Sequence, residues 1–359
     1  MEWEHYREAV QEEDWQEALR LLKQDDDLPR DELYYQMGWI YVQCGDLQKA
    51  LHQFYQAVSA GRDDGEINYQ IGSILNMQSQ CRNAVMFLEE AIHKGKDDEV
   101  TNSELGLALK RIGKTQQANR TLKKAIQMYR SHMQNHHTDL DMISRIAYLY
   151  GEMGEWRSQL EYLQMAKDAG RDDLWLKLSS AEACMKLKEY HAAFDEYRDA
   201  ARAGDMNAQF QLAQMYRKGI GTDKNSGKAL IWLERAYASN HPKAAEELSM
   251  MYFYGEGIPA DKQMAFTWLE RSRESSDPNM LCEIGKQFYQ GLGIDRNLAT
   301  AILYFEQAAA LDQPEAQYYL ARMYDEGEGF VQDRERALYW YRRAAENGNR
   351  IAAQILSTR

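Results

Sequence analysis

Small and apolar residues recur in the C-terminal part of this chain at a fixed spacing of 36 residues, and polar residues fill the positions between them. Each unit has an apolar residue, then two glycines separated by one residue, then an alanine and an aromatic residue. Such regularity predicts one structural unit repeated four times. In chain order the positions are Leu212, Leu248, Ile284 and Leu320; Gly219/Gly221, Gly255/Gly257, Gly291/Gly293 and Gly327/Gly329; Ala229, Ala265, Ala301 and Ala337; Trp232, Trp268, Tyr304 and Trp340.

The N-terminal part repeats with a spacing of 34 residues. A small residue opens each of five units, and a second one normally follows twelve residues later. Gln159 departs from this rule, and its unit is preceded by a step of 41 residues instead of 34. We expect looser packing there or a local change of the superhelix. The opening residues are Gly38, Gly72, Gly106, Ala147 and Ala181, and their partners are Ala50, Ala84, Ala118, Gln159 and Ala193.

Both spacings predict units of two antiparallel helices, a first helix A and a second helix B. Small residues let the two backbones approach where A crosses B, and stacking of successive units buries the apolar residues. The composition agrees, since the 359 residues include only five prolines and are rich in Ala, Leu, Glu, Gln, Lys and Arg, which favour helices. The predicted fold class is all-α.

The 34-residue units, with Gly38, Tyr41, Ala50 and Ala57, resemble tetratricopeptide repeats. The 36-residue units, with "LAQMYRKGIG" and "KALIWLERA", resemble Sel-one-like repeats. This resemblance implies a right-handed α-solenoid whose helices A line a concave groove, and a non-enzymatic role as an adaptor for protein partners. We predict about five to six tetratricopeptide-like units in residues 1–205, then four Sel-one-like units and a terminal capping helix in residues 206–359.

The charge of the chain narrows the choice of partner. The net charge is -13, and residues 1–205 supply -11 of it, with 36 acidic and 25 basic residues. That sign disfavours nucleic acid and anionic membranes and mildly favours a basic protein or peptide. The alternative, which is the commoner case, is an acidic surface that is merely solvated. Because the first residues lack a signal-peptide pattern and the four cysteines show no pairing motif, we expect a cytoplasmic protein with reduced thiols. We also expect a monomer, with an oligomer as the alternative.

Two motifs invite a chemical interpretation. "GIGTDK" at Gly219 suggests a phosphate loop. Its glycine pair, however, recurs in all four 36-residue units and follows a predicted helix rather than a strand, so we interpret it as the turn between helices A and B. The insertion "SHMQNHHTD" contains three histidines near Asp139 and Asp141, with spacing suited to zinc or nickel; the alternative is a solvated extension of the longer repeat. No catalytic motif is present, and no cofactor is predicted. The histidines are His132, His136 and His137.

Helix A positions that do not repeat are the candidates for partner contacts. A constraint of the scaffold acts on every unit alike, whereas exposed aromatic residues and arginines typically anchor interfaces. Neutral variation of the surface explains the same pattern. The main hypothesis is a scaffold; the alternatives are a regulatory protein that closes on a peptide signal and a metal-dependent enzyme. The predicted groove residues are Tyr35, Trp39, Tyr69, Asn76, Lys110, Tyr148, Arg217, Phe253, Tyr289 and Arg322.

Overall fold

The computed structural model describes residues 3–25, 27–133, 139–271, 277–291 and 295–358, and every regular element within these ranges is an α-helix. This confirms the predicted all-α fold class. The chain forms two compact units, Met1–Asp172 and Asp173–Arg359. The boundary between repeat types at residues 205 and 206 is a separate property of the sequence, and it stays a prediction.

The N-terminal unit is a series of helix pairs. Short connections make consecutive helices antiparallel, and each helix A packs most extensively on the helix B that follows it. Helices A are α3, α5, α7 and α9, preceded by the shorter pair α1 and α2. The bounds are α1 Trp3–Gln11, α2 Trp15–Lys23, α3 Arg30–Gln43, α4 Leu47–Ser59, α5 Gly65–Met77, α6 Cys81–His93, α7 Glu99–Arg111, α8 Thr115–Met133, α9 Leu140–Met153 and α10 Trp156–Asp168.

The C-terminal unit continues the same alternation and ends on a single helix. Helices A are the odd-numbered helices from α11 to α19, and α21 packs on α20. None of the described helices is long and apolar enough to cross a membrane. The bounds are α11 Leu174–Lys186, α12 Tyr190–Arg202, α13 Met206–Lys218, α14 Ser226–Ala238, α15 Ala244–Tyr254, α16 Lys262–Arg271, α17 Pro278–Gln290, α18 Leu298–Ala310, α19 Pro314–Glu326, α20 Arg334–Glu346 and α21 Arg350–Thr358.

The repeated glycines of helix A lie where a large residue of helix B crosses. A Cβ atom built on Gly72 would stand 2.7 Å from Cγ of Leu88, and one on Gly106 would stand 2.4 Å from Cδ2 of Leu122. Real Cβ atoms do not approach so closely, so only glycine allows this separation of the helices. The small residues predicted from the repeat therefore set the A–B distance.

The motif Gly-(Arg/Lys)-Asp-Asp lies between helix B and the next helix A. Each of its three polar residues makes a different contact. In its second copy, Lys96 pairs with Glu66 of helix α5 at 2.8 Å, and Asp97 accepts from Lys124 of helix α8 at 2.6 Å. Asp98 caps α7 by accepting from the backbone N–H of Thr101 at 2.8 Å, as the sequence predicts. The motif thus connects helices α5, α7 and α8.

The described glycines of the C-terminal pairs all have positive φ and form the predicted turns after helix A; Gly293 of the third pair lies outside the described residues. Gly219 has φ of 69° and ψ of 40° and ends α13 in the left-handed conformation, which glycine adopts at little cost. Gly221 also has positive φ, and a Cβ atom there would stand 2.0 Å from the carbonyl oxygen of Tyr190. The second glycine therefore lets the turn contact the first residue of the preceding helix B.

Candidate functional site

Tyr35 on helix α3 lies under a cation supplied by the next inter-repeat turn. The guanidinium carbon of Arg62 stands 3.7 Å from the centre of the Tyr35 ring, within the range of a cation–π interaction. Arg62 also pairs with Glu32 and, at 3.0 Å, with Asp64. Burial, reinforced by the charge of Glu66, raises the pKa of Tyr35 to about 12. The ring therefore lies among carboxylates, with one internal cation.

Tyr69 repeats this arrangement one unit later. Nζ of Lys96 stands 5.6 Å from the centre of the Tyr69 ring and pairs with Glu66 at 2.8 Å and Asp98 at 3.1 Å. Burial raises the pKa of Tyr69, and the charges of Glu104, Asp98 and Glu66 add to the effect. Three carboxylates thus surround the Tyr69 ring, and the one ammonium group over it pairs with two of them, so this part of the surface is negative.

Asn76 lies in the same unit, but its side chain is buried, with 3% exposed. Its Nδ2 donates to Oε2 of Glu104 at 2.7 Å, and its Oδ1 accepts from Nη1 of Arg111 at 2.8 Å. Asn76 thus connects a carboxylate and a guanidinium on helix α7. We infer that it orients these two groups rather than presenting its amide to solvent.

Lys110 and Tyr148 converge on one carboxylate of helix α9. Nζ of Lys110 donates to Oε2 of Glu152 at 2.7 Å, and Lys110 remains 40% exposed along its side chain. Burial first, and then the nearby charge of Glu152, raises the pKa of half-buried Tyr148. The structure therefore brings these two predicted residues together. Trp39 lies apart from them, edge-on against Trp15 with ring centres 6.2 Å apart.

Arg217 on helix α13 is engaged within the chain. Its guanidinium pairs with Glu247 on α15 and, through Nε at 2.9 Å, with Glu256 in the turn after α15. The Arg217 and Glu247 side chains are each 18% exposed. The residue therefore joins one repeat to the next.

Removal of the Glu247 carboxylate and removal of the Glu256 carboxylate should weaken the connection between the two repeats to different degrees. Replacing Glu247 by glutamine is expected to lower the free energy of unfolding by about 1–2 kcal/mol, because Arg217 loses its more buried counterion. Replacing the more exposed Glu256 by glutamine should cost about half as much, and high salt should reduce its effect more. Urea midpoints at low and high salt measure both. Equal effects of the two substitutions would contradict this ranking.

Tyr289 on helix α17 is buried and bonded at both its ends. Its hydroxyl donates to Glu328 and accepts from Nη2 of Arg322 at 3.0 Å, while its backbone oxygen accepts from Nε of Arg296 at 3.0 Å. Burial, and the hydrogen bond to Glu328, raise the pKa of Tyr289 to about 12. Tyr289 and Arg322 thus belong to one cluster. Phe253 packs edge-on against Tyr254, with ring centres 4.9 Å apart.

The partners of the predicted residues were not identified from the sequence, although two spacings point to them. In the pairs Tyr35/Arg62 and Tyr69/Lys96, the basic partner lies 27 positions after the predicted groove residue. A third pair at this spacing joins Nη1 of Arg171 to Oγ of Ser144 at 2.5 Å. A second spacing of 39 residues relates Arg217 to Glu256 and Tyr289 to Glu328.

The histidine insertion is described only in part. Nδ1 of His132 lies 3.1 Å from Oε1 of Glu99, whereas His136 and His137 lie outside the described residues. Among the residues that the structure describes, no group of three or more His, Cys, Asp or Glu side chains is placed to hold a metal ion. The four cysteines are free thiols, three of them buried, and Cys44 is exposed.

Comparison with protein families identifies both types of repeat. The Sel1 repeat model matches residues 207–241, 242–277, 280–313 and 314–349. The tetratricopeptide repeat model matches residues 31–64. These matches confirm the resemblance drawn from the sequence. Arrays of such repeats are typical of scaffolds for protein–protein interaction.

Individual relatives support the fold. The chain is 39% identical over 61 residues to the sel1-like repeat-containing protein L18 of Acanthamoeba polyphaga mimivirus, covering 15% of this chain and 10% of the viral protein. A protective antigen of uropathogenic Escherichia coli with an SLR fold has a TM-score of 0.52 and 22% identity, covering 93% of this chain and 65% of the antigen.

A Sel1 repeat protein from Oxalobacter formigenes has a TM-score of 0.49 and 21% identity over 95% of this chain and 89% of its own. The chain spans less than two thirds of the length of the viral protein and of the antigen described above. The similarity to the antigen is a similarity of fold.

Proposed function

We propose that this Sel1 and tetratricopeptide repeat protein is a non-enzymatic scaffold that binds a basic peptide or protein segment along the faces of helices A in its N-terminal unit. The observation that carries the proposal is the surroundings of Tyr69. An aromatic ring on helix A lies among Glu66, Asp98 and Glu104, with Lys96 as the cation over it. The repeat fold supports the general role, and this surface supports the chemistry of the partner.

The chain's own cations over Tyr35 and Tyr69 indicate that this surface binds positively charged side chains. Arg62 and Lys96 each combine a cation–π contact with two ion pairs to carboxylates. Around these two cations stand the four paired carboxylates Glu32, Asp64, Glu66 and Asp98. The excess of negative charge favours a partner that brings further lysine or arginine side chains.

Affinity purification from cells at native expression, followed by mass spectrometry and a direct binding titration, tests this proposal. We expect Glu66→Gln and Tyr69→Ala each to weaken binding of the purified partner about tenfold or more, because each removes a contact that is desolvated on binding. Binding should also weaken with salt, and Glu66→Gln should reduce that dependence.

Two variants on helices B provide matched controls. Glu90 on α6 pairs with Lys94 at 3.0 Å, so Glu90→Gln makes the same charge change in the same repeat. Tyr55 on α4 is 39% exposed, so Tyr55→Ala removes an equivalent ring. Both should bind as the wild type does. Full binding by Glu66→Gln and Tyr69→Ala, or equal loss in the controls, would refute binding on the helix A face.

A further inference from the structure

A surface cleft of about 570 Å³ lies beside the turn between helices α5 and α6, next to the C-terminal end of α7. Its volume is in the range of small-molecule sites. None of its seven lining residues is acidic, although the chain as a whole has a net charge of -13. The lining residues are Ser79, Gln80, Cys81, Arg82, Asn83, Arg111 and Ile112.

Arg111 is held in place on one side of this cleft. Its Nη1 donates to the side-chain oxygen of Asn76 at 2.8 Å and to the backbone oxygen of Asn76 at 3.2 Å. Asn76 is in turn fixed by Glu104, and its Oδ1 lies 3.7 Å from Sγ of Cys81 in the cleft wall. A guanidinium has five N–H donors. Binding to Asn76 therefore orients the group and leaves donors on its other nitrogens.

Arg82 supplies a second guanidinium to the same cleft. Across the described ranges, neither Arg82 nor Arg111 forms an ion pair with a carboxylate of the chain. Arg62, in the neighbouring repeat, contrasts with them because it has two such partners. Two cations that share a cleft without a counterion attract an anion, and the planar guanidinium matches the geometry of carboxylate and phosphate oxygens.

We propose that this cleft is a binding site for an oxyanion, either a carboxylate or a phosphoryl group of a small molecule or peptide. Arg111 and Arg82 are the residues that bind it, and Asn76 positions Arg111. The site goes beyond the binding of a basic segment on the helix A face, since its charge has the opposite sign and its lining residues are different.

Titration of the full chain with inorganic phosphate, and separately with acetate, tests the proposal by amide NMR at constant ionic strength. We expect saturable shifts at residues 79–83 and 111–112. Saturation by phosphate alone identifies a phosphoryl site, and saturation by acetate alone identifies a carboxylate site. Arg82→Gln should weaken binding at least tenfold, as loss of a charged hydrogen-bond donor does.

Three further variants separate binding from folding. Arg111→Lys keeps the charge but loses the planar fork, so it should weaken binding while preserving the circular dichroism spectrum. Asn76→Ala should weaken it by releasing Arg111. Arg120 is an exposed arginine of α8 outside the cleft, and Arg120→Gln should bind normally. Shifts that never saturate, that chloride reproduces, or that persist in Arg82→Gln would overturn the proposal.

Discussion

Replacing Gly221 by alanine is expected to destabilise the C-terminal unit by about 3 kcal/mol or more, combining steric overlap with an unfavourable backbone conformation. The added Cβ would lie 2.0 Å from the carbonyl oxygen and 2.5 Å from the carbonyl carbon of Tyr190. Both atoms belong to the backbone of α12, so no side-chain rotation relieves the overlap. The midpoint of urea unfolding, followed by far-UV circular dichroism, measures the loss.

Gly219 provides the matched control for this experiment. It has nearly the same φ, +69° against +67°, but the nearest atoms to its added Cβ are 3.4 Å away. Alanine there should therefore cost only the left-handed conformation, about 1–2 kcal/mol. Similar losses in the two variants would mean that the turn does not press against α12. A larger loss for Gly219→Ala would contradict the division of roles within the pair.

The fold was largely predictable from the sequence because each constraint acts in every repeat. The positions of Gly72 and Gly219 recur at fixed spacing, and the structure gives each recurrence a local cause, a helix crossing for the first and a helix end for the second. The contact between Gly221 and Tyr190 was harder to predict from the sequence. The two residues belong to different repeats. The spacing of a repeat shows which positions are constrained, but it does not show which residues those positions contact.

The candidate site was less predictable for the same reason. Variation at Arg217 and Tyr289 suggested freedom to contact a partner, but each residue bonds to a glutamate 39 positions later, in the next repeat. Arginine and tyrosine therefore differ at this position while both keep a contact with a glutamate inside the chain. Asn76 likewise has internal partners. Variation at a helix A position therefore indicates partner binding only after the contacts of that residue with the next repeat are known. The role of these residues in partner binding stays a prediction.

Gln159 is the exception to the rule of small residues in helix B, and the structure accommodates it through a change on helix A. Gly151 lies opposite, and a Cβ built on it would stand 2.5 Å from Nε2 of Gln159. Gln159 is consequently buried, with 7% exposed. In the regular repeats the glycine of helix A admits a leucine, as Gly72 admits Leu88. Here a different glycine admits a glutamine.

A double-mutant cycle tests this compensation. Gly151→Ala should lower the free energy of unfolding by about 1–2 kcal/mol, because the methyl group overlaps the side-chain amide of Gln159, which must shift to admit it. Gln159→Ala should cost less than a typical large-to-small core change, since Oε1 of Gln159 is buried without a hydrogen-bond partner, and its removal relieves a desolvation penalty.

The double variant Gly151→Ala/Gln159→Ala restores the usual small residue on helix B and gives helix A a methyl group to fill the space. We expect it to be more stable than Gly151→Ala alone, with a coupling energy of about 1–2 kcal/mol. Urea unfolding of the four proteins measures the cycle. Additive losses would show that the glycine and the glutamine do not compensate, and that Gly151 is needed for another reason, such as its own backbone contacts.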